Sequence, residues 1–225
     1  NRLAALEGRV AGELKLVAVS TAQYVVPYLL RSFLQLNPQV NVSVSVVNRA
    51  TALERLNDNQ AGLAIMGMVP TDRPLASLPF LDNELVPVAP KGHPLLSKER
   101  VSPEEFLASQ LLTREPGSGS RLALEVFCQE QRLKMQPDIE LGSNDAVKHA
   151  VLAGLGVAVV PRLGVLSELA LGSLQVVDVP GFPLRRSWCV VYPQARQPTP
   201  AMQSFIDYIQ QNIGQFERLF RRMAD

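Results

Sequence analysis

Short β-branched runs alternate with amphipathic helical stretches along most of the chain, and that alternation constrains the fold more than any other feature of the sequence. Glu13 to Val19 alternates at its start and is rich in β-branched residues, which predicts a strand. Tyr24 to Leu36 sets Tyr28, Leu29, Phe33 and Leu36 on one helical side. Asn37-Pro38 ends that helix, because proline removes an amide donor and restricts the residue before it. Val42, Val44 and Val46 alternate in a second strand over 40–47, Leu53 and Leu56 mark a helix over 50–59, and 62–66 reads as a third strand. Strand, helix, strand, helix, strand at this spacing implies a parallel sheet with right-handed crossovers.

The pattern then repeats. Strands are expected over 84–90, 110–113, 137–141 and 157–160, with helices over 103–106, 120–131 and 145–153. Gly154-Leu155-Gly156 breaks the last of these helices. Two later strands are expected over 175–179 and 188–192. Pro198-Thr199-Pro200 opens a final helix with Phe205, Ile206, Ile209 and Ile213 on its apolar side. The fold class is therefore α/β, with two Rossmann-like lobes and two crossover strands. Residues 12–86 with 192–225 make lobe I, and 87–191 make lobe II. Leu3, Leu6 and Val10 stand at helical spacing, so residues 1–11 read as the end of an arriving helix.

A chain of 225 residues with 47% apolar content can bury a full core, about 70% of its extended surface by size scaling. Twenty-two Lys and Arg against 21 Asp and Glu leave a net charge of +1, which argues against a broad basic face for nucleic acid. The basic cluster Arg218, Arg221 and Arg222 reads as a solvated helix end. Apolar stretches fall short of the 18 residues a membrane span needs, and the start lacks the apolar core of a secretory signal. Cys128 and Cys189 read as two small buried hydrophobes, with no CxxC or metal-ligand cluster around them.

Three segments place small polar residues where a strand ends and a helix starts. They are Ser20-Thr21, the glycine-rich Glu115-Pro116-Gly117-Ser118-Gly119-Ser120-Arg121, and Gly142-Ser143-Asn144. In open α/β sheets, ligands collect outside the carboxyl ends of strands, where first-turn amides and hydroxyls hold anions. The glycine-rich segment has no lysine after its second glycine and Leu122 where a dinucleotide fingerprint needs a third glycine, so both nucleotide motifs fail. Gly117-Ser118-Gly119 is not a nucleophile elbow, and no paired acids or H-x-x-x-H accompany His93 and His149. A binding domain for a small anion is expected rather than an enzyme, with no catalytic residue, cofactor or metal.

The segments Gly12-Glu13-Leu14-Lys15-Leu16, Ser20-Thr21, Pro27-Tyr28-Leu29-Leu30 and Phe33-Leu34-Gln35-Leu36-Asn37-Pro38 come in a telling order. Leu63-Ala64-Ile65, Gly92-His93-Pro94-Leu95 and Gly154 to Pro161 follow them. Together they resemble the effector-binding domain of LysR-type transcriptional regulators over residues 1–213. Asn48-Arg49, Thr113 to Arg121 and Gly142-Ser143-Asn144 are similar to the branch controlling RuBisCO operons and cyanobacterial bicarbonate transporters. The resemblance implies a periplasmic-binding-protein-like (type 2) fold and a cytoplasmic regulator, an activator of carbon dioxide fixation or bicarbonate transport genes. It implies a homodimer of sensor domains within a tetrameric full-length protein. DNA would be contacted only through an N-terminal winged helix-turn-helix outside these residues, with residues 1–11 as the tail of its linker helix.

The effector implied is a small phosphorylated metabolite held between the lobes, such as ribulose 1,5-bisphosphate, 2-phosphoglycolate or NADPH. Ser20, Thr21, Arg49 and Gly67 would contact it from lobe I, and Ser118, Ser120, Arg121, Ser143 and Asn144 from lobe II. Of the two arginines, Arg121 is favoured as the charge partner because it flanks the flexible loop. The alternative is a periplasmic solute-binding protein that feeds a small anion to a transporter.

Overall fold

The structure is a computed structural model that describes residues 10–224. The arriving helix expected over 1–11 lies outside the described residues but for Val10 and Ala11, and Ala11 already belongs to the first strand. In chain order, β1 (Ala11–Val19) runs into a 3-10 turn over Ser20–Tyr24 and then α1 (Val26–Leu36). β2 (Gln39–Val47), α2 (Arg49–Asn57), β3 (Leu63–Met66) and the long β4 (Leu75–Pro90) follow. Next come α3 (Pro103–Ala108), β5 (Leu111–Arg114), α4 (Gly119–Glu130), β6 (Ile139–Leu141) and α5 (Asn144–Leu152). β7 (Val157–Pro161), α6 (Leu166–Leu171), β8 (Leu174–Val176), β9 (Leu184–Pro193), α7 (Pro200–Gln211) and α8 (Ile213–Ala224) complete the chain. Two compact units result, one up to Asp82 together with Ser187–Met223, the other Asn83–Arg186. The chain passes from the first to the second within β4 and back within β9.

In the first unit the strand order is β2-β1-β3-β9. β1 is parallel to both β2 and β3, with Val17 facing Ser45 on one side and Ala64 on the other, while β9 runs antiparallel to β3. The helices supply the covering apolar faces that the sequence spacing requires. Leu14, Leu16, Leu29, Phe33, Ile65 and Phe205 are fully buried, and the Phe33 and Phe205 rings meet edge to face at 5.0 Å, a geometry favoured by the ring quadrupole. The C-terminal segment is a second helix, separate from α7. Its Phe216 and Phe220 are buried, packing against Tyr208 at 5.9 Å and Tyr28 at 5.4 Å. The basic cluster therefore lies on a docked amphipathic helix whose arginines stay outside.

In the second unit the order is β6-β5-β7-β4, with β8 on the other side of β4. β5 is parallel to β6 and β7, and β4 is antiparallel to β7 and β8. Val86, Val88, Leu112, Val151, Ala158 and Val160 form its centre. The expected elements appear within a few residues of their places, with four differences. The 24–36 helix begins only at Val26, after the 3-10 turn, with Pro27 in its first turn. The strand expected from Glu84 starts at Leu75, nine residues earlier. The final helix is interrupted at Asn212. The six-residue α6 was not expected at all; Gly172, left-handed at φ +73, closes it. Cys128 and Cys189 are buried free thiols, as their apolar surroundings predict.

Candidate functional site

β2 lies on one side of β1 and β3 on the other, so the crossovers diverge at the carboxyl ends of β1 and β3. This switch point is where open α/β sheets bind ligands. Ser20 and Thr21 follow β1, Asn48 and Arg49 follow β2, and Gly67 and Met68 follow β3. Four of the predicted residues thus converge on one end of the first unit. Ser20 Oγ donates to the Val47 carbonyl at 3.2 Å, tying the ends of β1 and β2. The Asn48 side chain accepts from the Thr51 amide at 2.9 Å and caps α2. Arg49 Nε donates to the Met68 carbonyl at 2.7 Å, fastening α2 to the segment after β3. A Cβ at Gly67 would stand 3.2 Å from the Ser187 carbonyl, so β9 approaches there too closely for most side chains.

Thr21 is buried, and its Oγ1 accepts a hydrogen bond from Trp188 Nε1 at 3.2 Å. Trp188 is wholly buried and its indole can only donate. Thr21→Val is therefore expected to lower stability by about 1–3 kcal/mol, the cost of a buried donor left unpaired. Thr21→Ser should recover most of it. Urea denaturation of the three proteins measures the difference.

The second unit repeats the arrangement at β5, β6 and β7. Ser118 caps α4, accepting from the Arg121 amide at 3.4 Å, and Ser143 caps α5, accepting from the Ala146 amide at 3.0 Å. Ser120 and Asn144 sit in the first turns of these helices and are both buried. The glycine-rich segment is thus an ordered strand-to-helix turn, with Gly117 left-handed at φ +94.

The two candidate arginines differ in electrostatic setting. Arg121 Nε donates to Glu125 at 2.8 Å, and its Nη1 donates both to Glu140 at 2.8 Å and to the Arg114 carbonyl at 3.0 Å. The Glu125 hydrogen bond, opposed by burial and reinforced by Glu140, holds its guanidinium above the ordinary arginine range. Its charge is already matched. Arg49 is the reverse case: burial and then the neighbouring Arg73 push it below that range, with Asp72 compensating in part. An arriving anion would relieve Arg49, whereas at Arg121 it would have to displace two carboxylates.

A third arginine carries structure that the sequence reading did not single out. Arg114, the last residue of β5, is 5% exposed and binds Glu115 through two nitrogens at 2.6 and 3.0 Å. Its Nη1 donates to Asn144 Oδ1 at 2.9 Å. The signal available was a charged residue ending the strand Leu111-Leu112-Thr113, whose other residues are all buried. His93 Nδ1 accepts from the Leu95 amide in a surface turn, and burial holds its pKa below the usual histidine value. Among the described residues no group of three or more His, Cys, Asp and Glu could hold a metal ion, and no helix is long and apolar enough to cross a membrane.

Residues 7–214 match the LysR substrate binding domain family. The chain belongs to that family. Among its relatives are the HTH-type transcriptional activator CmpR of Synechocystis sp. (strain ATCC 27184 / PCC 6803 / Kazusa), 38% identical over 92% of this chain and 68% of CmpR. The RuBisCO operon transcriptional regulator of Acidithiobacillus ferrooxidans is 39% identical over 92% of this chain and 67% of its own. The chain therefore spans about two-thirds of the length of these LysR-family regulators. Among solved structures, the regulatory domain of Synechocystis PCC6803 CcmR in complex with 2-PG superposes with a TM-score of 0.83. It is 34% identical and covers 89% of this chain and 96% of that one. The effector-binding domain of QuiR, at 18% identity and a TM-score of 0.82, shares the fold. The two-lobed LysR-family fold with crossover strands is the one the sequence resemblance implies.

Proposed function

We propose that this LysR-family domain is the metabolite-sensing part of a transcriptional regulator of inorganic-carbon uptake or CO2-fixation genes, and that its effector is a small phosphorylated metabolite. The gene class is supported by likeness to CmpR and to the RuBisCO operon regulator, and the effector class by likeness to the CcmR domain described with 2-PG. Of the three candidate effectors, 2-phosphoglycolate is the one this likeness favours over ribulose 1,5-bisphosphate and NADPH. A cytoplasmic setting accords with this role, and DNA recognition is assigned to a part of the regulator outside these residues.

The observation that carries the chemistry is Arg49 at the carboxyl end of β2, with a charge that its surroundings leave under-compensated. Arg49 is proposed to meet the phosphate, with hydroxyls or amides of Ser20 and Thr21 beside it and Gly67, after β3, lining that side. Within the second unit, taken by itself, Ser118 and Ser143 shape the caps of α4 and α5, Ser120 and Asn144 support them from inside, and Arg121 holds α4 by its ion pairs. An effector switches a regulator only through unequal affinity for two states, so tight binding alone does not suffice.

Titration calorimetry with 2-phosphoglycolate, ribulose 1,5-bisphosphate, NADPH and sulfate tests this reading. A phosphorylated ligand should bind well above sulfate. Arg49→Ala should weaken it roughly 10- to 100-fold, the size of a charge-assisted hydrogen bond. Arg121→Ala should weaken it far less. If no phosphorylated ligand binds the unsubstituted chain, the effector assignment is wrong.

Self-association belongs to the same proposal. Val44 and Val46 are 39% and 49% exposed along β2, and Leu36 at the end of α1 is 69% exposed. β2 has one strand neighbour, β1, among the described residues, so this apolar face is suited to a second copy of the chain. Sedimentation velocity should show a dimer, and Val44→Asp with Val46→Asp should shift it to monomer.

A further inference from the structure

Beneath the starts of α4 and α5 the second unit holds a cavity of about 10 Å³, whose wall includes Thr113, Arg114, Ser120, Arg121, Leu124 and Asn144. Three of these residues send a buried polar atom to which no partner falls among the described residues: Thr113 Oγ1, Ser120 Oγ and Asn144 Nδ2. The residues are 4%, 7% and 5% exposed. Buried polar atoms left unpaired cost free energy, and native proteins rarely tolerate three at one place. The amide orientation is fixed by chemistry. Asn144 Oδ1 takes the Arg114 hydrogen bond, so the NH2 group is the end directed elsewhere.

The size and charge of the cavity select its occupant. A volume near 10 Å³ admits about one water molecule. Arg114 and Arg121 both bring positive charge to the wall, but Glu115 pairs with the first through two nitrogens and Glu125 and Glu140 pair with the second, so no net charge calls for an anion. Two hydroxyls, each able to donate or accept, and one amide donor supply three partners, the usual number for an internal water.

We infer that this unit binds one internal water molecule at Thr113 Oγ1, Ser120 Oγ and Asn144 Nδ2, joining the end of β5 to the first turns of α4 and α5. Asn144 donates to the water oxygen, and the two hydroxyls take or give the remaining hydrogen bonds. Through this water and the Arg114–Asn144 bond, one buried network sets the position of both helix starts. Ser120 and Asn144 are positioning residues in this network. The inference rests on the cavity and its polar atoms and stands whether or not the effector assignment does.

A high-resolution crystal structure of the chain, grown without effector and also soaked in bromide, tests it. The expected result is one oxygen peak within hydrogen-bond distance of all three atoms, with no anomalous bromide signal there. Thr113→Val, close in shape but lacking the hydroxyl, should remove or displace the peak and lower stability. Thr113→Ser should restore the peak, and it serves as the second variant if the valine protein does not fold. Three results would overturn the inference: side chains closed directly on one another with no peak, a bromide ion in the cavity, or an unchanged peak in Thr113→Val. Failure of every effector to bind would leave the peak, and this test, untouched.

Discussion

Gly156→Ala is expected to destabilise the second unit by about 3 kcal/mol or more, the upper range for overpacking a core. A Cβ built on Gly156 lies 2.1 Å from the Gln110 carbonyl oxygen and 3.0 Å from its carbon. The contact is backbone against backbone, at the point where the Val157 amide donates to that same carbonyl at 2.9 Å. No rotamer change relieves it; β5 and β7 must part or the loop must move. Gly154, two residues earlier, presents a different case. Its φ is +81 and a Cβ there would meet nothing within 4 Å, so Gly154→Ala should cost only the left-handed penalty of about 1–2 kcal/mol. Thermal melting of the two alanine variants checks the order. For a chain of this size 3 kcal/mol corresponds to roughly 6–12 °C. Equal shifts would mean that the close approach at Gly156 has no energetic weight.

Arg114→Met should also be costly, about 1–3 kcal/mol, because it takes a two-nitrogen partner from the partly exposed Glu115 and leaves the buried Asn144 Oδ1 without this donor. Arg114→Lys keeps the charge but not the planar fork, and should fall between the two. Urea unfolding of the three proteins provides the measurement. A methionine variant as stable as the parent would show that this network contributes specificity without stability.

Periodicity made much of this fold legible. Alternating Val42, Val44 and Val46, and the helical spacing of Tyr28 to Leu36, place β1, α1 and β2 within a few residues of where they form. Less was visible where elements lack a signal of their own. The first half of β4 contains Pro79 in Leu78-Pro79-Phe80, which argues against a strand until β4 is seen to be the crossing between units. α6 has six residues and no side-chain hydrogen bond at its N-cap.

The candidate site shows the same division. Ser20-Thr21 and the residues after β2 were legible because strand ends in a parallel sheet are predictable places. The roles of the arginines were not. Arg114 and Arg121 flank one loop, and sequence alone does not say which is held inside. Glu125, four residues after Arg121, was a visible partner on the helix. Glu140 comes from β6, 19 residues away, and only strand pairing brings it near. Together they satisfy Arg121 and leave Arg49 as the guanidinium whose setting favours an anion.

The most direct test of that account is a crystal structure of the chain with bound 2-phosphoglycolate. The phosphate should lie within hydrogen-bond reach of the Arg49 guanidinium, with Ser20 or Thr21 beside it and the Arg121 pairs to Glu125 and Glu140 intact. A phosphate seated on Arg121 with those carboxylates displaced, or one touching none of Ser20, Thr21 and Arg49, would contradict it.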